Sequence, residues 1–262
     1  MSGAYTVQLG HGLGLIDETR MLLELWQPGT NAADLYRSAL QSGYFGTLSA
    51  QRLHNMITIG FGMRYLTAEA APARLLKPIQ HAVSRAAFEQ LLFLYTARAH
   101  PVLADFVREV YWPAYAAGKP AIDNDASMHF IERAVREGKT TTAWSPGMVK
   151  RMSSNLTSCC ADFSLLEGGA RRVRTILPFR VEPLVVTVLA YDLHNAGLGD
   201  NHLLLHADWG LFGLEREDVL AEVRRAALNG ALIVQAAAGV TRISWKFKSM
   251  EELADGIAQG QL

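Results

Sequence analysis

The chain has 262 residues and no net charge, with 25 Lys and Arg set against 25 Asp and Glu. Apolar residues make up 50% of it and charged residues 19%, which excludes a disordered chain and leaves room for one large core or two ordinary ones. A neutral chain has no overall field to draw it onto nucleic acid, so any such binding has to come from a local patch.

Residues 1–14 contain Gly3, Gly10, Gly12 and Gly14 and no periodic apolar face, so they read as an arm. Asp17 heads a helix to about Trp26, with Met21, Leu22, Leu25 and Trp26 inward and Pro28-Gly29 as its end. Thr30 or Asn31 caps the next, which stops at Gly43. Ser49 caps a longer one with Leu53, Met56, Ile57, Phe61 and Tyr65 in helical register. Gly60 and Gly62 inside it each cost on the order of 1 kcal/mol relative to alanine, which marks close packing or a bend. The helical pattern continues through 71–96, with Pro72 and Pro78 near helix starts and a run at 88–95 apolar all round, as in the middle of a bundle. Pro101 opens a helix kinked or broken before Pro113 and stopped at Gly118. Residues 123–137 make one more, with Met128, Ile131, Ala134 and Val135 inward. With no convincing strand, residues 1–143 read as an all-α domain whose linker begins at Gly138-Lys139.

From Trp144 the pattern changes. Ser145 as N-cap and Pro146 at the first position start a helix with Met148, Met152, Leu156, Cys159 and Phe163 on one side. A turn at Gly168-Gly169 leads through Arg171, Arg172 and Arg174 into a hairpin arm at 176–180. Residues 182–195 are helical, 197–213 loop-like, and 214–229 an amphipathic helix stopped by Gly230. Two β-segments, 231–236 and 240–247, flank Ala238-Gly239, and a last helix covers 250–258. Within 243–248, Ile243, Trp245 and Phe247 alternate with Ser244, Lys246 and Lys248, so one face packs and the other is basic. Helix followed by basic hairpin occurs twice, which makes 144–262 winged-helix-like. The fold class expected is mainly α: a helical bundle, then a winged-helix-like part with short β-hairpins.

Few residues point to catalysis or to a metal. His202 and His206 are four apart, with Asp200 and Asp208 beside them, but a zinc site needs a further ligand and the zincin Glu is missing, so capping or core histidines are the expectation. Cys159 and Cys160 are adjacent, on the apolar side of a helix, and lack CxxC spacing; buried thiols in a reducing cytoplasm are expected. The segment at 10–14 lacks the strand and the GKS/T ending of a phosphate loop, and no GxSxG elbow occurs. No cofactor, metal or catalytic residue is expected. Residues 1–9 have no secretory pattern, and the apolar runs at 183–191, 203–205 and 228–238 fall short of the roughly 20 residues that cross a bilayer.

The basic residues carry more. Lys150 and Arg151 on the helix, Arg171, Arg172, Arg174 and Arg180 around the first hairpin, and Lys246 and Lys248 in the second, with Arg242 nearby, are the candidate DNA-binding residues. Contacts of this kind hold phosphates and give salt-dependent affinity with little sequence preference. In the sharpest form of this expectation, Arg171, Arg172 and Arg174 grip phosphate while the apolar helix face, Cys159 included, holds them in place.

Several ordered motifs resemble BrxA, a family of BREX (bacteriophage exclusion) phage-defence systems. They are Glu18-Thr19-Arg20 with Leu22-Leu23-Glu24-Leu25, the Ser49, Arg52 and Arg64-Tyr65-Leu66 helix, Asp105-Phe106 with Glu109-Val110-Tyr111 and Gly118-Lys119, and Trp144-Ser145, Asn155-Leu156 and Asp162-Phe163-Ser164-Leu165-Leu166. The resemblance implies a helical part similar to the NusB antitermination factor, binding of double-stranded DNA, and no catalytic activity of its own. The function expected is thus a non-enzymatic, cytoplasmic DNA-binding accessory that meets other BREX proteins and no membrane. The alternative is a protein–protein scaffold of the same system.

Overall fold

The computed structural model describes residues 4–169, 171–237 and 240–262 and, of Ala237, the backbone alone. Among the described residues the fold is mainly α, with two antiparallel sheets of two strands each. In chain order the helices are α1 (Ile16–Leu25), α2 (Ala32–Ser42), and α3 (Ala50–Asn55), which runs through a π-helical turn (Met56–Phe61) into α4 (Gly62–Tyr65). There follow α5 (Ala71–Ile79), α6 (Arg85–Ala99), and α7 (Pro101–Phe106), which passes through a second π-helical turn (Val107–Tyr111) into α8 (Trp112–Ala116). Strand β1 (Ala121–Asp123) precedes α9 (Asn124–Arg136), and α10 (Pro146–Asp162) precedes β2 (Val173–Thr175). The rest is α11 (Pro183–Asn195), α12 (Asp200–Leu203), a 3₁₀ helix (Ala207–Phe212), α13 (Arg216–Ala226), β3 (Leu232–Ala237), β4 (Val240–Trp245) and α14 (Met250–Ala258). Among the described residues no helix is long and apolar enough to cross a membrane.

The caps follow the sequence, with one exception. Side chains of Asn31, Ser49, Asp123 and Ser145 accept backbone N–H groups at the starts of α2, α3, α9 and α10. At α1 the cap is Leu15, in the left-handed conformation at φ 47°, and Asp17 sits in the first turn. The reason is a close approach: a Cβ on Gly12 would lie 2.3 Å from Leu15 Cδ1 and one on Gly60 3.3 Å from it, so Leu15 fills the notch these glycines leave. Gly60 lies in the first π turn, closed by Gly62 N–H on the Ile57 carbonyl. Pro113 does not break its helix. The Trp112 N–H reaches the Val107 carbonyl, and the wider turn leaves room for the proline ring directly after it.

The chain divides into two compact units, Met1–Ala73 with Leu92–Phe179, and Arg74–Leu91 with Arg180–Leu262. The boundary expected between Ala143 and Trp144 falls inside the first unit, because segments on either side of it pair. β2 runs antiparallel to β1, with Ile122 opposite Arg174. α9 and α10 pack antiparallel, the Ser127 hydroxyl donating to the Ser153 carbonyl (3.2 Å) and the Thr157 hydroxyl to Asn124 Oδ1 (3.1 Å). The strandless first domain expected from sequence therefore contains β1, and in place of the hairpin arm expected at 176–180 the strand is β2, at 173–175, with Ile176 alone forming a further bridge.

In that unit the glycine-rich arm is docked. Arg64, only 2% exposed, donates through Nη1 to the Leu13 carbonyl (2.8 Å), through Nη2 to the Gly12 carbonyl, and through Nε to His100 Nε2 (3.4 Å). The Gly14 N–H donates to Asp162 Oδ2 (2.9 Å), and a Cβ there would lie 2.4 Å from the Asp162 Cβ. His100 accepts from Arg64 as a neutral ring, since burial, with the guanidinium beside it, holds its pKa down to about 3. The unfolded chain protonates this histidine first, so stability is expected to be complete above the ordinary histidine value of about 6.5 and to fall by up to about 1.4 kcal/mol per pH unit below it. Asp162, raised by burial, opposes this only as the pH nears the carboxylate range. Urea midpoints at about pH 5 and about pH 8 check the trend, and H100Q is expected to flatten it.

In the second unit α13 packs on α11, and β3 lies beside α13. The Tyr191 hydroxyl donates to the Ala231 carbonyl and accepts from the N–H groups of Lys246 (3.0 Å) and Phe247 (3.1 Å), which pins the open end of the hairpin. Asp200 Oδ2 accepts the Ile243 N–H (2.9 Å) and Asn201 Oδ1 the Thr241 N–H (3.2 Å), so α12 covers the outer edge of β4. The stretch 197–213 is not a loop. It holds α12 and the 3₁₀ helix because Leu203, Trp209, Leu211 and Phe212 are buried, with the Trp209 indole N–H on the Leu203 carbonyl at 2.7 Å. The β-hairpin matches the expected one, while its turn at Ala238-Gly239 lies outside the described residues.

Candidate nucleic-acid interface

The expected basic residues fall into two groups, one in each unit. In the first, Lys150 and Arg151 are exposed on α10, whose opposite side buries Val149, Met152, Leu156 and Cys159. The Arg171, Arg172 and Arg174 trio does not form a common grip. Arg174 is 6% exposed and donates to the Glu167 carbonyl (3.0 Å) and the Ser158 hydroxyl (3.1 Å). It points inward because strand alternation puts Val173 and Thr175 outside and the residue between them inside. Arg171 is exposed but ion-paired with Glu167 at 2.9 Å, and the same carboxylate accepts the Thr175 hydroxyl. Arg172 projects into solvent, 3.8 Å from Asp125.

In the second unit Arg180, Lys246 and Lys248 are exposed, and the Lys246 ammonium stands 5.0 Å above the Phe247 ring. Arg242 is exposed on β4, opposite Gln235 of β3. The 3₁₀ helix ends at Gly213, φ 70°, and three residues, Gly213 to Glu215, separate it from α13. The side chains of Glu215 and Asp218 close a capping box at the start of α13, and Arg225 pairs with Glu222 while donating to the Val181 carbonyl (2.9 Å). Arg224, exposed, has none of these ties. Sequence reasoning passed over Arg224, although the spacing that puts Val219, Val223 and Ala226 inward puts it outward.

His206 is a capping histidine: its Nδ1 accepts the Asp208 N–H (3.3 Å) at the head of the 3₁₀ helix. Among the described residues no three His, Cys, Asp or Glu side chains stand close enough to hold a metal ion. Cys159 and Cys160 are free and buried, and burial pushes the Cys159 thiol up to about 12, well out of the reactive range.

The model of the BrxA family matches residues 3–192. The chain belongs to the BrxA family. It is accordingly a component of a BREX phage-defence system. The BrxA match takes in the described part of the first unit and stops within α11, so α12, α13, the β3–β4 hairpin and α14 lie beyond it. A solved structure of an uncharacterized protein from Magnetospirillum magneticum is similar at a TM-score of 0.58 and 14% identity, over 73% of this chain and 95% of that one. At that identity the likeness is one of fold. No curated protein matches the chain.

Proposed function

We propose that the protein binds double-stranded DNA for its defence system, using α13 and the β3–β4 hairpin as a winged helix, and performs no chemistry of its own. One observation carries this reading. A short 3₁₀ helix, a three-residue glycine turn, an α-helix and a hairpin follow one another, and Arg224, Arg242, Lys246 and Lys248 are exposed there with no carboxylate partner among the described residues. In helix-turn-helix modules the second helix enters the major groove. Arg242 on the adjoining hairpin and Lys246 and Lys248 just after it then meet phosphate, which is the local patch that a neutral chain needs. Lys150, Arg151 and Arg172 are a second set of phosphate contacts in the first unit, and Arg180 adds one in the second.

Anisotropy titrations of the full chain with duplex DNA at several salt concentrations test this. Each phosphate contact contributes about 0.9 to the slope of log affinity against log salt. The triple variant R242E/K246E/K248E is expected to bind at least about tenfold more weakly, with a slope shallower by about 3. The pair K150E/R151E is expected to have the smaller effect. Binding that is absent, or indifferent to both sets, rejects the reading. A scaffold role is favoured by a different observation, since Leu228, in the turn between α13 and β3, and Ile233 and Val240 on the hairpin stand 85%, 63% and 63% exposed. Co-purification with other BREX proteins, without DNA affinity, would select it.

A further inference from the structure

We infer that α13 reads base sequence, with Glu217, Ala221 and Arg224 as the specificity-determining residues; the inference rests on the DNA-binding reading above. Val219, Val223 and Ala226 form the buried side of α13. At 100° per residue, the stripe opposite them consists of Glu217, Ala221 and Arg224. All three are exposed, so this is the surface that a major groove would meet.

The charges on α13 separate by task. Glu215 and Asp218 serve the capping box, and Glu222 pairs with Arg225. Glu217 and Arg224 have neither kind of tie among the described residues, and both lie on the outward stripe. Glu217 stands in the first turn of α13, where the helix dipole favours a carboxylate, but on a DNA-facing helix it is repelled by phosphate, which argues against this face as a generic backbone contact. It has one favourable use in the major groove, accepting the N4 amino group of cytosine. Arginine is the matching donor to guanine O6 and N7, and the alanine methyl suits the thymine methyl. Glu217 and Arg224 are seven residues apart, about 10.5 Å along the helix. That is about three base-pair steps of 3.4 Å. The outward stripe therefore presents an acceptor, a methyl group and a bidentate donor to successive steps of one groove. The hairpin cations contribute affinity, and α13 chooses the site.

The test is selection of the full chain against a duplex library randomised over about two helical turns, followed by anisotropy on the selected duplex and its single base-pair variants. The wild type is expected to select a site with a cytosine and a guanine contact about three steps apart, each worth on the order of tenfold in affinity. In E217Q the preference at the first position is expected to move from cytosine to adenine, the base that glutamine pairs with, while the second is kept. R224A is expected to lose the guanine preference alone. A merely structural role for Glu217 would not exchange one base for another. Salt-dependent binding with no sequence preference, or a preference that E217Q leaves in place, overturns the inference and leaves the DNA-binding reading standing. Absence of any duplex binding overturns both.

Discussion

Arg64→Met is expected to destabilise the first unit by about 3–5 kcal/mol, because it breaks a buried hydrogen-bond network and leaves several acceptors unmet. Three acceptors lose their donor at once: the carbonyls of Gly12 and Leu13 and the Nε2 atom of His100. None can turn to water without lifting the arm off the helices, and an unmet buried acceptor costs about 1–3 kcal/mol. Lysine does not restore the arrangement, because a single ammonium cannot span acceptors that a planar guanidinium reaches from Nε, Nη1 and Nη2. Urea unfolding of R64M and R64K, compared with wild type, measures both losses. Near-wild-type midpoints would mean that the arm is held by its apolar contacts, by Gly14 on Asp162 and by the bonds of Tyr5 to Asp105, Lys139 and Thr141. Limited proteolysis within residues 4–14 gives a second readout, since an undocked arm is cut faster at unchanged global stability.

What was legible in the sequence was local. Cap residues at Asn31, Ser49 and Ser145 announced their helices because each acts on N–H groups two or three residues away. The alternation around Ile243 and Trp245 likewise placed a hairpin arm correctly. Long-range partners were not legible. Arg64 and Arg174 look like surface arginines until the Gly12 and Leu13 carbonyls, or the Glu167 carbonyl and Ser158, are brought to them by the fold. The same holds for the division into units. Three-residue strands give no periodic signal, so nothing in residues 121–123 or 173–175 announced that they would pair across the expected boundary. The glycine-rich arm was visible only as composition, and the need for glycine is set by Leu15, Asn155 and Asp162, which press on it in three dimensions. For the interface, the cations of the hairpin were found by charge and alternation, whereas Arg224 and Glu217 needed the ties of their neighbours to be known first.

Two arginines three residues apart are expected to behave oppositely. Arg174→Met should cost about 2–4 kcal/mol, because it strips a donor from the Glu167 carbonyl and the Ser158 hydroxyl in a buried place where Asp162 also feels the guanidinium. Arg171→Ala should stay within about 0.5 kcal/mol of wild type, since an exposed ion pair such as that with Glu167 is worth little. For DNA the prediction is that neither change matters much when the protein is folded. Arg174 has no exposed guanidinium to offer a phosphate, and Arg171 is already neutralised by Glu167. Denaturation midpoints together with anisotropy slopes, measured on both variants well below their unfolding transitions, test the pair. A folded R174M protein whose salt slope drops by about 1 would show that Arg174 leaves its buried position to meet phosphate, and would move the interface back to the first unit. An unchanged slope beside a lowered midpoint fixes Arg174 as the residue that ties β2 to α10, and leaves the phosphate contacts to side chains that have no such duty.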